Sequence, residues 1–360
     1  MKVLYDHQTF ILQKYGGISR YFANLHHHLN TRPDFDCKLS VLYSKNYYIQ
    51  GKSYLLPFFG DRLSKKHKRL EKWNKWYSEK QISNNEFDVF HPTFYDPYFL
   101  KKLKKPFVIT VHDMIHELYP EWFAGYDSFV KYKRLVFEKA DHFISISEAT
   151  KKDLQAIYNI PEDRISVVHH GYKISTPSES SFTPPFSNYI LFVGDRATYK
   201  NFNRFVSAVT PILNRKPDIG IICAGGGAFT VVEQELFIRK GLARVTQISA
   251  NDDELKVLYQ KALVFVYPSL CEGFGIPILE AFANNCPAIV SSIECFKEVG
   301  EEACIYFDPN KVDSISASIE NVIGSTDLAK RLKDLGDIQL NKFTIEACAS
   351  KTAEVYKGLA

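Results

Sequence analysis

The sequence predicts an α/β chain of two doubly wound domains, each a parallel sheet with helices on its faces. Three observations carry this. Short β-branched and aromatic runs alternate with helical segments along the chain, the pattern of parallel strands joined by crossover helices. The 360 residues are long for one hydrophobic core. The stretch 173–186, KISTPSESSFTPPF, is rich in Ser, Thr and Pro and reads as a linker. The expected domains are residues 1–175 and 176–342, with a C-terminal helix over 343–360 that can pack back onto the first.

Composition narrows the class. Apolar content is 45% and charged content 24%, ordinary for a folded chain. No apolar run reaches the roughly 18 residues needed to cross a bilayer, and Met1 leads directly into a strand, so no signal peptide is expected. The seven cysteines are an odd number, scattered and without a C-x-x-C. Reduced, buried thiols explain them better than disulfides or zinc, and a cytoplasmic protein is expected. The net charge of +4 hides an asymmetry: residues 1–175 hold 27 basic and 19 acidic side chains, the remainder 18 and 22. The first half carries the basic surface.

In the first domain strands are expected at 2–5, 37–42, 87–91, 107–111, 142–146 and 164–169. Gly16-Gly17 precedes a helix from Ile18 to about Leu29 and would let backbone N–H groups approach a phosphate. Arg20 could assist an anion there or be a solvated helix residue. His26, His27 and His28 are consecutive on that helix, so they face different directions and cannot converge on a metal. Asp34-Phe35-Asp36 is a D-x-D in a probable turn and is taken as structural. Residues 54–76 pair an apolar run, Tyr54–Phe59, with Arg62, Lys65, Lys66, Lys68, Arg69, Lys72 and Lys75 beside Trp73 and Trp76. Basic residues beside aromatics suit an anionic membrane surface. A solvated helix face fits the same pattern, and nucleic acid is not the expected partner. Lys101, Lys102, Lys104 and Lys105 form a second basic cluster. Functional groups of parallel sheets gather at the C-terminal ends of strands. There stand His91, His112-Asp113 and Ser147, the last reading as a helix N-cap.

In the second domain strands are expected at 189–193, 219–223, 244–248, 264–266 and 303–307, with a further β run after Pro287. The first ends in GDRATYKN, placing Arg196 and Lys200 just past a strand. The second ends in Gly225-Gly226-Gly227, which is not G-x-G-x-x-G and does not predict a nicotinamide site. The stretch Val264–Ser292, VFVYPSLCEGFGIPILEAFANNCPAIVSS, organises the rest. It reads as strand, glycine loop, helix, strand. Gly273 and Gly275 let backbone approach a ligand, and Pro277 suits the first helical turn. Unpaired N–H groups and the helix dipole there make an anion site. Glu280, about one turn inside, would reach a ribose if a diphosphate sat on the helix tip, and Glu272 would sit nearer a sugar at its far end.

Glu272-Gly273-Phe274-Gly275-Ile276-Pro277-x-x-Glu280-Ala281 resembles the E-x7-E signature of retaining glycosyltransferases of family 4. The resemblance covers nearly the whole chain, strongest over 192–308 and loosest over 44–87. It implies the GT-B fold, two Rossmann-like domains facing a central cleft, and transfer of a sugar from a nucleotide-diphosphate donor without a metal or other cofactor. It implies that Glu280 contacts the ribose and that Glu272 contacts the donor sugar. The family's G-x-R-x-x-x-K-N pattern falls on Gly194, Arg196, Lys200 and Asn201, implying that both cations hold the diphosphate. YGGISRY resembles the first glycine loop, which gives Gly16 and Gly17 to the donor and Tyr15 and Arg20 to the acceptor. V-H-D places His112 by the donor sugar, with Asp113 orienting it or binding acceptor. Ile248-Ser249 falls where the base is met, chiefly by backbone. Asn285 stands where the family has Gly, and Asn tolerates a left-handed cap. The expected catalytic set is His112, Glu272, Arg196 and Lys200. The expected donor is a GDP- or UDP-sugar, with GDP-mannose the first guess. The expected acceptor is a glycan or lipid-linked saccharide at the inner face of a membrane. A phosphorylase or sucrose-type enzyme, and a silent nucleotide- or membrane-binding scaffold, are the alternatives.

Overall fold

A computed structural model describes residues 1–49, 67–173 and 181–360. The expectation placed on residues 54–66 lies outside them. The chain divides into two compact units, Met1–Gly171 with Ile345–Ala360, and Tyr172–Thr344.

In the first unit β1 (Lys2–Tyr5) pairs in parallel with β2 (Asp36–Leu39) on one side and β3 (Val89–His91) on the other. β4 (Val108–Val111), β5 (His142–Ser145) and β6 (Ile165–Val167) form a second parallel set. A parallel bridge between Phe90 and Phe107 joins the two sets. β2 ends earlier than the apolar pattern suggests; its last rung runs from the Ser40 N–H to the Tyr5 carbonyl, which also accepts from the Ser40 hydroxyl. The helices include α1 (Gly17–Leu29), α2 (His67–Asn84), α3 (Asp127–Phe137) and α4 (Glu148–Tyr158). Ser147 caps α4 by accepting from the Thr150 N–H. Asp34 is tied to Arg32 and Lys357, so this carboxylate of the D-x-D is already paired with cations.

α2 is amphipathic in an unusual sense. Its inward face carries Leu70, Asn74, Ser78 and Ile82, all buried. The polar pair is satisfied: Asn74 Oδ1 accepts from the Leu42 and Tyr43 N–H groups, and Ser78 meets Ser40 and His7. The outward face carries Arg69, Lys72, Trp73, Trp76 and Lys80. The tryptophans are 48% and 54% exposed and meet edge to face at 6.3 Å.

In the second unit six parallel strands run in the order β12 (Cys304–Phe307), β11 (Ala288–Ser291), β10 (Val264–Tyr267), β7 (Asn188–Val193), β8 (Ile219–Ala224), β9 (Val245–Ile248). In order of appearance this is 3-2-1-4-5-6, which switches direction between β7 and β10. α5 (Phe202–Arg215), α6 (Val231–Arg239), α7 (Asp252–Lys261) and α8 (Ile276–Ala283) connect these strands. Apolar positions of α5, among them Phe202, Phe205, Val206 and Val209, pack on Ile190, Phe192 and Ile221 of the sheet. After α8 the backbone of Asn285 turns left-handed, with φ +51°, as its place after the helix suggests.

The last helix, α9 (Ile345–Leu359), belongs to the first unit. Cys348, Ala349, Ala353 and Tyr356 enter the core around β1 and α1. The Tyr356 hydroxyl bonds His91 Nδ1 at 2.6 Å and the Tyr5 hydroxyl at 2.9 Å. All seven cysteines are free and six are buried. Among the described residues no helix is long and apolar enough to cross a membrane.

Candidate active site

The switch between β7 and β10 opens a crevice at the C-terminal ends of those strands, where the loops 194–201 and 268–275 leave the sheet. The two loops are stitched together. The Leu270 N–H donates to the Tyr199 carbonyl at 2.7 Å, and Asn201 Nδ2 donates to the Pro268 and Pro309 carbonyls at 3.0 and 2.8 Å. Asn201 holds a left-handed φ of +59° while it does so.

Lys200 and Glu272 meet across this junction, Nζ to Oε1, at 2.6 Å. The ammonium also lies 5.5 Å from the Tyr267 ring and 5.0 Å from the Tyr199 ring. Burial disfavours the charged lysine, but Glu272 and the two phenols outweigh it and hold the ammonium well above its ordinary range. Burial, and then the negative Glu272, push the Tyr267 phenol well up. Cys295 Sγ donates to the Glu272 carbonyl at 3.2 Å, fixing the loop backbone.

Gly275 is the N-cap of α8, with φ +113°. Only glycine adopts this angle easily. Pro277 sits in the first turn, where its missing N–H costs nothing. Glu280 lies inside the same helix and is buried. Its Oε2 accepts from the Tyr259 hydroxyl at 3.2 Å, and its backbone carbonyl accepts from Asn284 Nδ2 at 2.8 Å. Glu272 and Glu280 thus flank the start of α8, one in the loop and one in the helix. The Phe274 ring points away from the crevice. It is 3% exposed and packs edge to face on Phe343, so Phe274 offers a ligand its backbone.

Arg196 behaves differently from Lys200. Its Nε donates to Glu233 at 2.5 Å, and its Nη groups donate to the carbonyls of Gly225, Gly226, Gly227 and Ala228 at 3.2, 3.3, 3.0 and 3.1 Å. Glu233 closes a capping box with Thr230 at the start of α6. Burial raises the Glu233 carboxyl, but the Arg196 and Thr230 hydrogen bonds overcome this and hold it below the ordinary carboxylate range. Gly194 begins this loop with φ +119° and donates its N–H to the Ala224 carbonyl. Ile248 ends β9 and accepts from the Gly225 N–H at 3.0 Å.

In the first unit His112 ends β4. It is 8% exposed, its ring stacks on His170 at 5.7 Å and meets Tyr21 edge on at 5.6 Å. Among the described residues its Nε2 is buried without a hydrogen-bond partner. Burial, then His170 and His91, lower its pKa far below the ordinary value, so the ring is neutral. Asp113 does not orient it. The Asp113 carboxylate accepts from the Ile115 N–H, and its carbonyl accepts from Lys133 Nζ at 2.8 Å. Lys133 is buried beside Glu117, and this pair pins the turn after β4. Gly16 is the N-cap of α1 with an extended φ of 171°. A Cβ there would meet the end of the Gln13 side chain, a flexible group that can move aside. Gly17 opens α1, Tyr15 is exposed and lies on Tyr47, and Arg20 lies over Tyr48.

Sequence reasoning missed Glu233, Tyr267 and Lys133. The Thr230-x-x-Glu233 capping box was readable; the other two carried no signal short of the fold. Among the described residues no cluster of His, Cys, Asp or Glu could hold a metal.

The sequence profile "Glycosyltransferase Family 4" matches residues 15–176 and that of "Glycosyl transferases group 1" matches residues 177–337. The O-antigen chain mannosyltransferase RfbU of Salmonella typhimurium is 30% identical over 229 residues, 63% of each chain. O-antigen chain mannosyltransferase B of Escherichia coli is 28% identical over 287 residues, 75% of this chain and 74% of the relative. Among solved structures, sucrose-phosphate synthase from Thermosynechococcus elongatus superposes with a TM-score of 0.77 at 18% identity, covering 99% of this chain and 98% of the other. Anabaena HepE in complex with UDP and glucose gives 0.73 at 15% identity, covering 99% of each. These likenesses show the fold. With both profiles matched in tandem, the chain belongs to the group 1 glycosyl transferases of glycosyltransferase family 4 and has the GT-B fold.

Proposed function

We propose that this chain transfers a hexose from a nucleotide-diphosphate sugar to a glycan or lipid-linked saccharide, with retained anomeric configuration and without a metal ion, in the synthesis of a cell-surface polysaccharide. The observation that carries the reading is the pairing of Lys200 with Glu272 beside the start of α8, with Glu280 behind it. A diphosphate is drawn to the Lys200 ammonium and to the helix start. Glu280 accepts from ribose hydroxyls, and Glu272, exchanging Lys200 for the donor, accepts from hydroxyls of the hexose. The bond between the anomeric carbon and the diphosphate oxygen breaks as the acceptor oxygen bonds that carbon. Lys200 meets the charge that develops on the leaving oxygen, and the diphosphate takes the acceptor proton. His112, neutral and with an unused Nε2, suits a hydrogen bond to a sugar hydroxyl.

Mannose as the sugar is supported by the two O-antigen mannosyltransferases among the relatives, and we propose GDP as its carrier. The test is nucleotide release from GDP-mannose and UDP-glucose with the anomer of the product read by NMR. Inversion at the anomeric carbon, or turnover abolished by EDTA, overturns the mechanism. The likeness to sucrose-phosphate synthase keeps a soluble-sugar acceptor as the second reading. Formation of product from free fructose 6-phosphate and not from a lipid-linked saccharide would favour it.

The acceptor side is read from α2. A helix that buries Asn74 and Ser78 while exposing Trp73 and Trp76 among cations is built for an anionic lipid surface, where indole rings sit at the headgroup level. The protein would then work peripherally at the cytoplasmic face of a membrane. Flotation with phosphatidylglycerol vesicles, lost in a Trp73→Ser/Trp76→Ser variant, is the expected result. Equal flotation of the variant overturns it.

A further inference from the structure

Six aromatic residues stand in the run 113–132: Tyr119, Trp122, Phe123, Tyr126, Phe129 and Tyr132. The run leaves β4 directly after His112, at the strand end where ligands of parallel sheets gather. None of these rings takes part in the donor chemistry above. Tyr126 and Tyr132 are 50% and 47% exposed, and large rings clustered at a surface mark a binding site.

The rings are organised. Tyr119 and Trp122 stack at 4.2 Å with their planes 6° apart. Phe123, Tyr126 and Phe129 close around His116 at 4.2, 5.0 and 4.7 Å. Burial lowers the His116 pKa, so this box is uncharged at neutral pH. Among the described residues His116 Nδ1 is buried without a hydrogen-bond partner, a cost that a turn built for folding alone avoids. The backbone beneath is fixed. The Trp122 N–H donates to the Tyr119 carbonyl at 3.0 Å, and the Tyr126 N–H donates to the Phe123 carbonyl at 3.1 Å. Gly125 turns between them with φ +89°, an angle that other residues avoid. Buried Lys133 donates to the Asp113 carbonyl and the Glu117 carboxylate, and the Tyr158 hydroxyl donates to Glu117 at 3.1 Å, which holds the base of the run. A surface so fixed loses little freedom when it binds.

Charge selects the occupant. On α2, Trp73 and Trp76 stand among Arg69, Lys72 and Lys80. Here Asp113 is spent on the Ile115 N–H and Glu117 on Lys133. Glu121 and Asp127 remain exposed, next to Trp122 and Tyr126 in the chain, and Lys131 is the one base of the run. Acids beside the rings repel anionic lipid head groups and nucleic acid phosphates. They suit a neutral sugar, whose C–H face meets the electron-rich face of an aromatic ring and whose rim hydroxyls donate to carboxylates.

We propose that the turn 119–127 binds neutral sugar units of the acceptor glycan, with Trp122 and Tyr126 as its stacking rings and Glu121 and Asp127 as its hydroxyl acceptors. This deepens the acceptor reading above and rests on it. The first unit then presents two aromatic surfaces with separate tasks, a basic one for lipid and an acidic one for saccharide.

The full chain labelled with 5-fluorotryptophan gives three fluorine NMR signals, from Trp73, Trp76 and Trp122, and Trp122→Phe identifies the third. Neutral mannose and glucose oligosaccharides are titrated in one arm and phosphatidylglycerol vesicles in the other. The oligosaccharides are expected to shift the Trp122 signal, and the vesicles to leave it in place. Tyr126→Ser is expected to bind the oligosaccharide about three- to tenfold more weakly, the size of one aromatic contact, with melting temperature as the check on folding. A Trp122 signal that ignores both sugars, or that moves with the vesicles, overturns the proposal, and so does wild-type affinity in Tyr126→Ser. Nucleotide release from the donor judges the transfer reading by itself. Turnover without a Trp122 shift keeps that reading and overturns this one, whereas a Trp122 shift without turnover upholds the sugar platform and fails the transfer reading.

Discussion

Lys200 and Glu272 are 13% and 12% exposed and stand 2.6 Å apart, so each is the other's counter-ion in a mostly dry crevice. Removing one partner leaves the survivor uncompensated. Lys200→Met is expected to cost about 3 kcal/mol of stability and to slow sugar transfer by roughly 100- to 1,000-fold. Lys200→Met combined with Glu272→Gln should recover part of the stability and none of the turnover. Urea unfolding and nucleotide release measure the two. A double variant no more stable than the single would show that the pair carries no buried charge coupling.

Acid should weaken the first unit through its histidines. Burial holds His91 and His170 down to about 3. The unfolded chain binds these protons near pH 6.5, so above that pH both states are neutral and nothing is lost. Between pH 6.5 and about 3 only the unfolded state is protonated, and stability falls as pH falls, by about 1.4 kcal/mol per pH unit for each histidine. Unfolding midpoints at pH 7 and pH 5 should differ by this slope, and His91→Gln should flatten it by one histidine's share. A pH-independent midpoint would contradict the neutral assignments.

Tyr259 and Glu280 test the proposed ribose contact. Tyr259→Phe removes the hydroxyl that donates to Glu280 Oε2 and keeps the ring in the core. The expected result is a KM for the donor raised about five-fold, from one lost hydrogen bond, with kcat nearly unchanged. A fall in kcat with KM intact would place Glu280 at the reacting carbon.

Gly275→Ala tests the junction. A Cβ there meets the Phe296 ring at 3.0 Å and Ile278 Cδ1 at 3.1 Å, at a φ of +113°. The expected cost is about 1–3 kcal/mol, with weaker nucleotide binding, both read by thermal melting with and without GDP. A variant as stable as the wild type would mean that the loop has another conformation available.

Much of this architecture was legible from residue pattern. β1 runs over Lys2–Tyr5 as the apolar run indicates, and the glycine, proline and acid spacing around Glu272 and Glu280 marks the β10–α8 junction because each residue type answers a local backbone demand. Side-chain direction and long-range partners were not legible. Glu233 lies 37 residues from Arg196, and no local rule ties them. Phe274 sits inside the glycine loop yet turns into the interior toward Phe343, a contact 69 residues away in sequence that no local rule announces. The glycine at 16 suggests a ligand's approach, and the group nearest to where its Cβ would stand is the end of the Gln13 side chain, six residues from the Ser19 N–H that it accepts from.

The second unit is inserted into the first: Tyr172–Thr344 intervenes between residue 171 and the α9 segment that fills the core around β1. On the ribosome, the early strands must therefore wait with a raw apolar seam until residues 345–360 emerge, while the inserted unit can finish first. A premature stop near residue 344 would strip away Tyr356, Ala349 and Ala353 and leave the N-terminal unit a client for chaperones and proteases, however intact the inserted unit remained.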